Sequence, residues 1–177
     1  MNVTPSFKKT TEKKSSFDAL ALREVYGIIY SAPEQELALA DVFQTNQLTI
    51  TRLSSSETFL PYLPLEENLF IASTIKERDR KVVLAEAFQV FQLEPALLGR
   101  SFTSFTTFEK IKMRIIQLLL SKTSTLVIDD IFSSLTIGQR QEILPQLKIA
   151  VQKRNKRLLF LTQDPQIIDS PRSEEHT

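Results

Sequence analysis

Cysteine is absent from this 177-residue chain, which removes disulfide frameworks and thiol chemistry together and leaves a reducing cytosol as an allowed setting. Histidine occurs once, at His176, so neither a histidine-built metal centre nor a Ser-His-Asp triad has anything to build on. Charge of one sign is also lacking: the net charge is +1, which gives no global field toward nucleic acid or acidic lipid. No apolar run reaches the roughly 18 residues that span a bilayer, so direct membrane insertion is not expected. The opening "MNVTPSFKKTTEKKSS" carries lysines without the apolar stretch of a secretory signal. It reads as a flexible basic tail over residues 1–18, and residues 170–177 read as a second tail.

What is present suits one globular domain with a real core, at 42% hydrophobic and 24% charged residues. "VYGIIY" and "QLTITRL" have the texture of strands, the second alternating apolar with polar residues. Between them "SAPEQELALADVFQ" opens with a capping serine and an early proline, as helices do. "SSSETFLPYLPLEEN" predicts a loop and then a helix from Pro64, with Glu66 and Glu67 in its first turn. "KVVLAEAFQVFQLEP" predicts a helix ended near Pro95, and "TTFEKIKMRIIQLLLSK" another, capped by Thr106 or Thr107. A buried strand, "TLVIDD", follows, then the helix "TIGQRQEILPQLKIAVQKR", in which Pro145 predicts a kink or break, and a last strand "RLLFLTQ". Strands separated by helices predict an α/β fold with a mostly parallel sheet. The domain spans 19–169, with a core of 19–60 and 121–169 and a small helical insert at 61–120.

Several segments, in order and at consistent distances, carry a family resemblance. "VIDDIFSSLT" lays without a gap on an acidic strand motif, "FTTFE" (Phe105 to Glu109) falls one helix-length before it, and Thr162-Gln163-Asp164 falls some thirty residues after it. "FLPYLPLEENL" (Phe59 to Leu69) and "GIIYSAPEQELAL" (Gly27 to Leu39) complete the series. From about Leu20 to Asp169 the chain resembles, in shortened and degraded form, the nucleotide-binding domain of ABC transporters, which has a P-loop NTPase-like fold. The resemblance places Asp129 on the magnesium-associated acid, Asp130 on the catalytic glutamate, Gln163 on the switch histidine and Thr106 on the signature serine. It places Ser55 on the glutamine after the second strand and Glu36 on the phosphate-binding lysine, with Tyr26 or Phe17 for the aromatic that stacks on adenine.

The phosphate cradle is where the pattern departs from the family. Backbone N–H groups close around an anion only where no Cβ intrudes, and a lysine must reach the phosphates. "YSAPEQELA" has no glycine, Pro33 has no N–H to donate, and Glu36 puts a negative charge where the cation belongs. Thr107 and Phe108 replace both glycines of the signature. The expectation is therefore a cassette-like protein without ATP binding or hydrolysis and with no cofactor. The resemblance implies a structural or regulatory partner of an active ABC ATPase subunit or of a membrane permease, or a homodimer. The setting it implies is cytoplasmic, or peripheral at the inner face of the membrane. Contact with a permease is expected through Phe59 and Tyr62, taken as exposed aromatics.

Other readings stay in view. A divergent ATPase would bind Mg-ATP, with Asp129 on the metal and Asp130 as base. A phospho-acceptor domain would place its acid pair early and a lysine after a late strand, and neither holds here. "QKRNKR", Gln152 to Arg157, is basic but reads as a helix end, so nucleic acid is not an expected partner.

Overall fold

Leu126, Val127 and Ile128 are each at most 1% exposed, as are Leu158 and Leu159, so two apolar runs form strands buried on both faces. The computed structural model describes residues 25–29, 49–54 and 59–162. In chain order the elements are β1 (Val25–Ile29), β2 (Ile50–Ser54), α1 (Leu65–Phe70), α2 (Glu77–Val90), α3 (Thr107–Leu120), β3 (Thr125–Asp129), α4 (Ile137–Lys153) and β4 (Arg157–Thr162). Short 3-10 turns occupy Pro95–Gly99, Phe102–Ser104 and Ile131–Ser134. The four described strands form one sheet of order β1-β4-β3-β2, and each pairing among them is parallel. The α/β architecture expected from the sequence, a parallel sheet flanked by helices, is the one observed.

β2 shows why an outer strand alternates. Leu53 is buried against the core while Arg52 is exposed. Its register sets Arg52 opposite Val127 and Ser54 opposite Asp129. Residues paired across parallel strands share a face, so Arg52, Ser54, Val127 and Asp129 lie on one side of the sheet.

α3 is the helix that ties the layers together. Thr106 caps it through a capping box: the Thr106 hydroxyl accepts from the Glu109 N–H and the Glu109 carboxylate accepts from the Thr106 N–H. Eight of its fourteen residues are buried, far more than one stripe, because it packs against α1, β2 and α4 at once. One continuous apolar cluster runs from Leu53 through Phe91, Ile115 and Leu119 to Phe160.

Two helices differ from expectation. α2 begins at Glu77 rather than near Lys81, and ends before Phe91. There the Leu93 N–H bonds Phe88 O at 2.9 Å and the Gln92 N–H bonds Gln89 O at 3.3 Å, with Gln92 left-handed at φ 52°. That closure is a Schellman motif, which stops the helix before proline is reached. α4 runs unbroken through Pro145. The proline lies on the exposed face, where Gln141, whose carbonyl loses its partner, is exposed too, while Ile143 and Leu147 on the other face are fully buried. α4 ends in a second Schellman closure, with Asn155 at φ 54° and the Lys156 N–H on Val151 O at 3.1 Å.

Candidate functional site

The acid pair sits where β3 leaves the sheet. Asp129 is the last residue of β3, and Asp130 adopts a left-handed backbone at φ 48°, ψ 22°. Left-handed backbone costs an L-residue energy, though aspartate tolerates it better than most. The Asp130 N–H donates to Leu161 O at 3.1 Å, tying the turn to β4, and Ser133 Oγ donates to Asp130 O at 2.8 Å. The turn is clamped from the far side by Arg140, whose Nε donates to Phe132 O at 3.0 Å and Leu135 O at 3.1 Å. Thr136 then caps α4 in a capping box with Gln139.

Asp129 is not left to local turn contacts. Its carboxylate forms an ion pair with the guanidinium of Arg52, which reaches across from β2. The Asp129 side chain is 14% exposed and that of Arg52 41%, so the acid is the sheltered member.

The start of α3 is likewise engaged. The Thr106 N–H donates to Glu109 Oε2 at 2.7 Å, and the Glu109 N–H donates to Thr106 Oγ1 at 3.1 Å. The Thr106 N–H holds the Glu109 carboxyl below its ordinary range, against an opposing effect of burial; the Thr106 hydroxyl, Arg100 and Lys112 lower it further. A carboxylate thus already faces the Thr106 amide. Phe105 is core and Phe108 is partly buried beneath Lys112 Nζ, 4.3 Å from its ring centre.

The loop of Phe59 to Leu69 is organised by Asn68, which is 2% exposed. Its Oδ1 accepts from the Leu60 N–H at 2.8 Å, while Nδ2 donates to Leu60 O and Leu63 O at 3.0 Å and to Pro64 O at 3.2 Å. Tyr62 is 76% exposed, as expected of it. Phe59 is not: it is 6% exposed and packs edge-on to Phe102, with ring centres 4.5 Å apart. The aromatic-rich turn of Phe102 and Phe105 provides an apolar pocket that a loop composition does not announce, so the exposed-aromatic expectation is corrected to Tyr62 alone.

Of the remaining residues singled out in the sequence, Tyr26 lies on β1, where its backbone pairs with Leu159. Glu36, Ser55 and Gln163 lie outside the described residues, as do Phe17 and both terminal segments. Two buried cations were missed altogether. Lys112 Nζ donates to Phe91 O at 2.9 Å and Glu142 Oε1 at 2.6 Å, joining α3 to α4 and to the end of α2. Lys156 Nζ donates to Ser121 O at 2.7 Å and to Thr123 O, and burial lowers its pKa to about 8, helped by repulsion from Arg154. Each partner is thirty or so residues away or is a backbone carbonyl, so no local pattern signals it.

Among the described residues no group of three or more His, Cys, Asp or Glu is placed to hold a metal, and no helix is long and apolar enough to cross a membrane. A magnesium–nucleotide asks for a free carboxylate on the metal and free amides on the phosphates. Asp129 is already faced by a cation and the Thr106 amide by an anion, so these residues as arranged do not fit that group.

A parallel sheet, connecting helices and an acid at the end of β3 are thus the features that position the candidate site. No protein-family model and no curated protein matches the sequence. Solved structures do. The chain is similar to an ABC transporter in an inward-facing conformation, with TM-score 0.65 and 16% identity over 84% of this chain and 66% of that one. It is similar to a bacterial ABC transporter cassette solved as a dimer, at TM-score 0.56 and 14% identity over 73% of this chain and 59% of that one. A dimeric post-hydrolysis cassette bound to ADP and Pi matches at TM-score 0.54 and 15% identity over 73% and 58%. At these identities the likeness is one of fold, and this chain spans about three-fifths to two-thirds of those lengths.

Proposed function

We propose that this domain is a cassette that has given up nucleotide chemistry and serves as a structural or regulatory partner of an active ABC ATPase subunit or of a permease. The observation that carries the reading is the Arg52–Asp129 pair, which supplies a positive charge from the protein where the family's nucleotide brings a metal. The glycine-free "YSAPEQELA" with Glu36 supports it from the sequence. The similarity to cassettes solved as dimers supports pairing with a cassette. Docking is assigned to the surface around Tyr62, with Ile71 at the far end of α1 also exposed, at 55%. A domain in this role works peripherally, at the cytoplasmic face of a membrane.

Titrating the purified chain with Mg-ATP by calorimetry tests the proposal. No saturable heat is expected at concentrations that detect a dissociation constant of about 0.1 mM. Saturable binding overturns it and favours a divergent ATPase, in which Asp130→Asn would abolish turnover. For the partner, Tyr62→Ala is expected to lower co-purification of a cassette or permease, while unchanged recovery removes the docking assignment.

A further inference from the structure

The adjacency of Arg52 and Asp129 goes beyond the absence of nucleotide chemistry, although it rests on that cassette-like reading. We propose that the Arg52 guanidinium is a resident counter-cation that stands in the place of a magnesium ion and makes Asp129 unavailable to metal. Arg52 lies opposite Val127, two residues before Asp129 on the same sheet face, and Ser54 is the residue directly opposite Asp129. That offset is within the reach of an arginine side chain and brings its fork onto the carboxylate. An arginine stays charged at every accessible pH, so this cation is not lost by deprotonation as a lysine or histidine cation can be. A metal arriving at Asp129 must displace this charge or sit beside it, and both oppose binding. The same pair links β2 to β3 at the carboxyl end of the sheet, which gives the retained acid a structural reason to remain.

The test uses the full chain as wild type, Arg52→Met, Asp129→Asn and the double variant, with Mn²⁺ alone as probe and free Mn²⁺ read from its electron paramagnetic resonance signal. Methionine keeps much of the arginine stem while removing the charge. Arg52→Met is expected to bind Mn²⁺ at least about tenfold more tightly than wild type, and the gain is expected to vanish in the double variant. In melting experiments without metal, the double variant is expected to fall within about 2 °C of the less stable single variant, because both changes remove the same shared ion pair. Equal Mn²⁺ affinity in wild type and Arg52→Met, or melting losses that simply add, overturns the proposal. Neither result bears on the phosphate cradle, which the Mg-ATP titration of wild type tests separately.

Discussion

Replacing Asn68 by alanine takes away an amide whose oxygen and nitrogen both point at the backbone of the loop before α1. The Leu60 N–H loses its acceptor, and the carbonyls of Leu60, Leu63 and Pro64 lose a shared donor. The two strongest of these bonds are worth about 1 kcal/mol each, and a stranded N–H in a part-buried loop adds about 1 more, for a loss of about 3 kcal/mol. With a urea slope of about 2 kcal/mol per M for a domain of this size, the unfolding midpoint falls by about 1.5 M. Gln117 Nε2 bonds the backbone carbonyl of residue 68 at 2.7 Å, a contact that alanine preserves, so the measurement isolates the side chain. Asn68→Asp keeps the acceptor for Leu60 but turns a buried carboxylate onto carbonyl oxygens, and is expected to lose at least as much. A midpoint for Asn68→Ala within about 0.3 M of wild type would falsify the assignment of this loop to Asn68.

The depressed Lys156 gives a pH signature. Below about 8 both folded and unfolded chains carry the charge; between about 8 and 10.5 only the unfolded chain holds the proton, so stability rises with pH across that window. Denaturation series at pH 7.5 and 10 are expected to show the rise in wild type and its disappearance in Lys156→Met; a rise of equal size in both refutes the assignment. Phe59→Ala is expected to cost about 3 kcal/mol or more by cavity formation, and Tyr62→Ala to stay within about 0.5 kcal/mol, with equal losses contradicting the placement of Phe59. Thr106→Ala removes the cap of α3 and is expected to cost about 1 kcal/mol in a thermal melt, with Thr106→Ser restoring most of it; an unchanged melt would show that the capping box carries no weight.

The elements read most directly from the sequence are those whose cause is local. Thr106 and Glu109 stand three residues apart and cap α3 through their own spacing. The apolar runs that became β3 and β4 announce burial on two faces without reference to any partner. The acid pair at the end of β3 was legible for the same reason. What the sequence hid depends on contacts between distant segments. Arg52 is ordinary in an alternating strand until β2 is set beside β3 in register, 77 residues from its acid. Arg140 looks like a surface residue of a helix until the preceding turn folds back to offer it carbonyls. Phe59 looks like a loop aromatic until Phe102 arrives to cover it. Pro145 signalled a break that did not occur, because the local rule ignores the apolar face that holds α4 down on both sides of it.

The strand order has a consequence for how the chain is made. β4 lies between β1 and β3, so the middle of the sheet is supplied by the last of the four described strands to be synthesised. About 130 residues separate the end of β1 from the end of β4, and at ~5–20 residues per second a ribosome needs roughly 7–26 seconds to cover them. Throughout that interval β1 waits with none of its described hydrogen bonds made, and once β3 has been synthesised its inner edge stays open until β4 follows. Growth of the nascent chain, rather than the speed of any helix, sets the earliest moment at which this sheet can close. A chaperone that shields apolar strands during those seconds would raise the yield of folded protein, and slowing translation ahead of β4 would lower it.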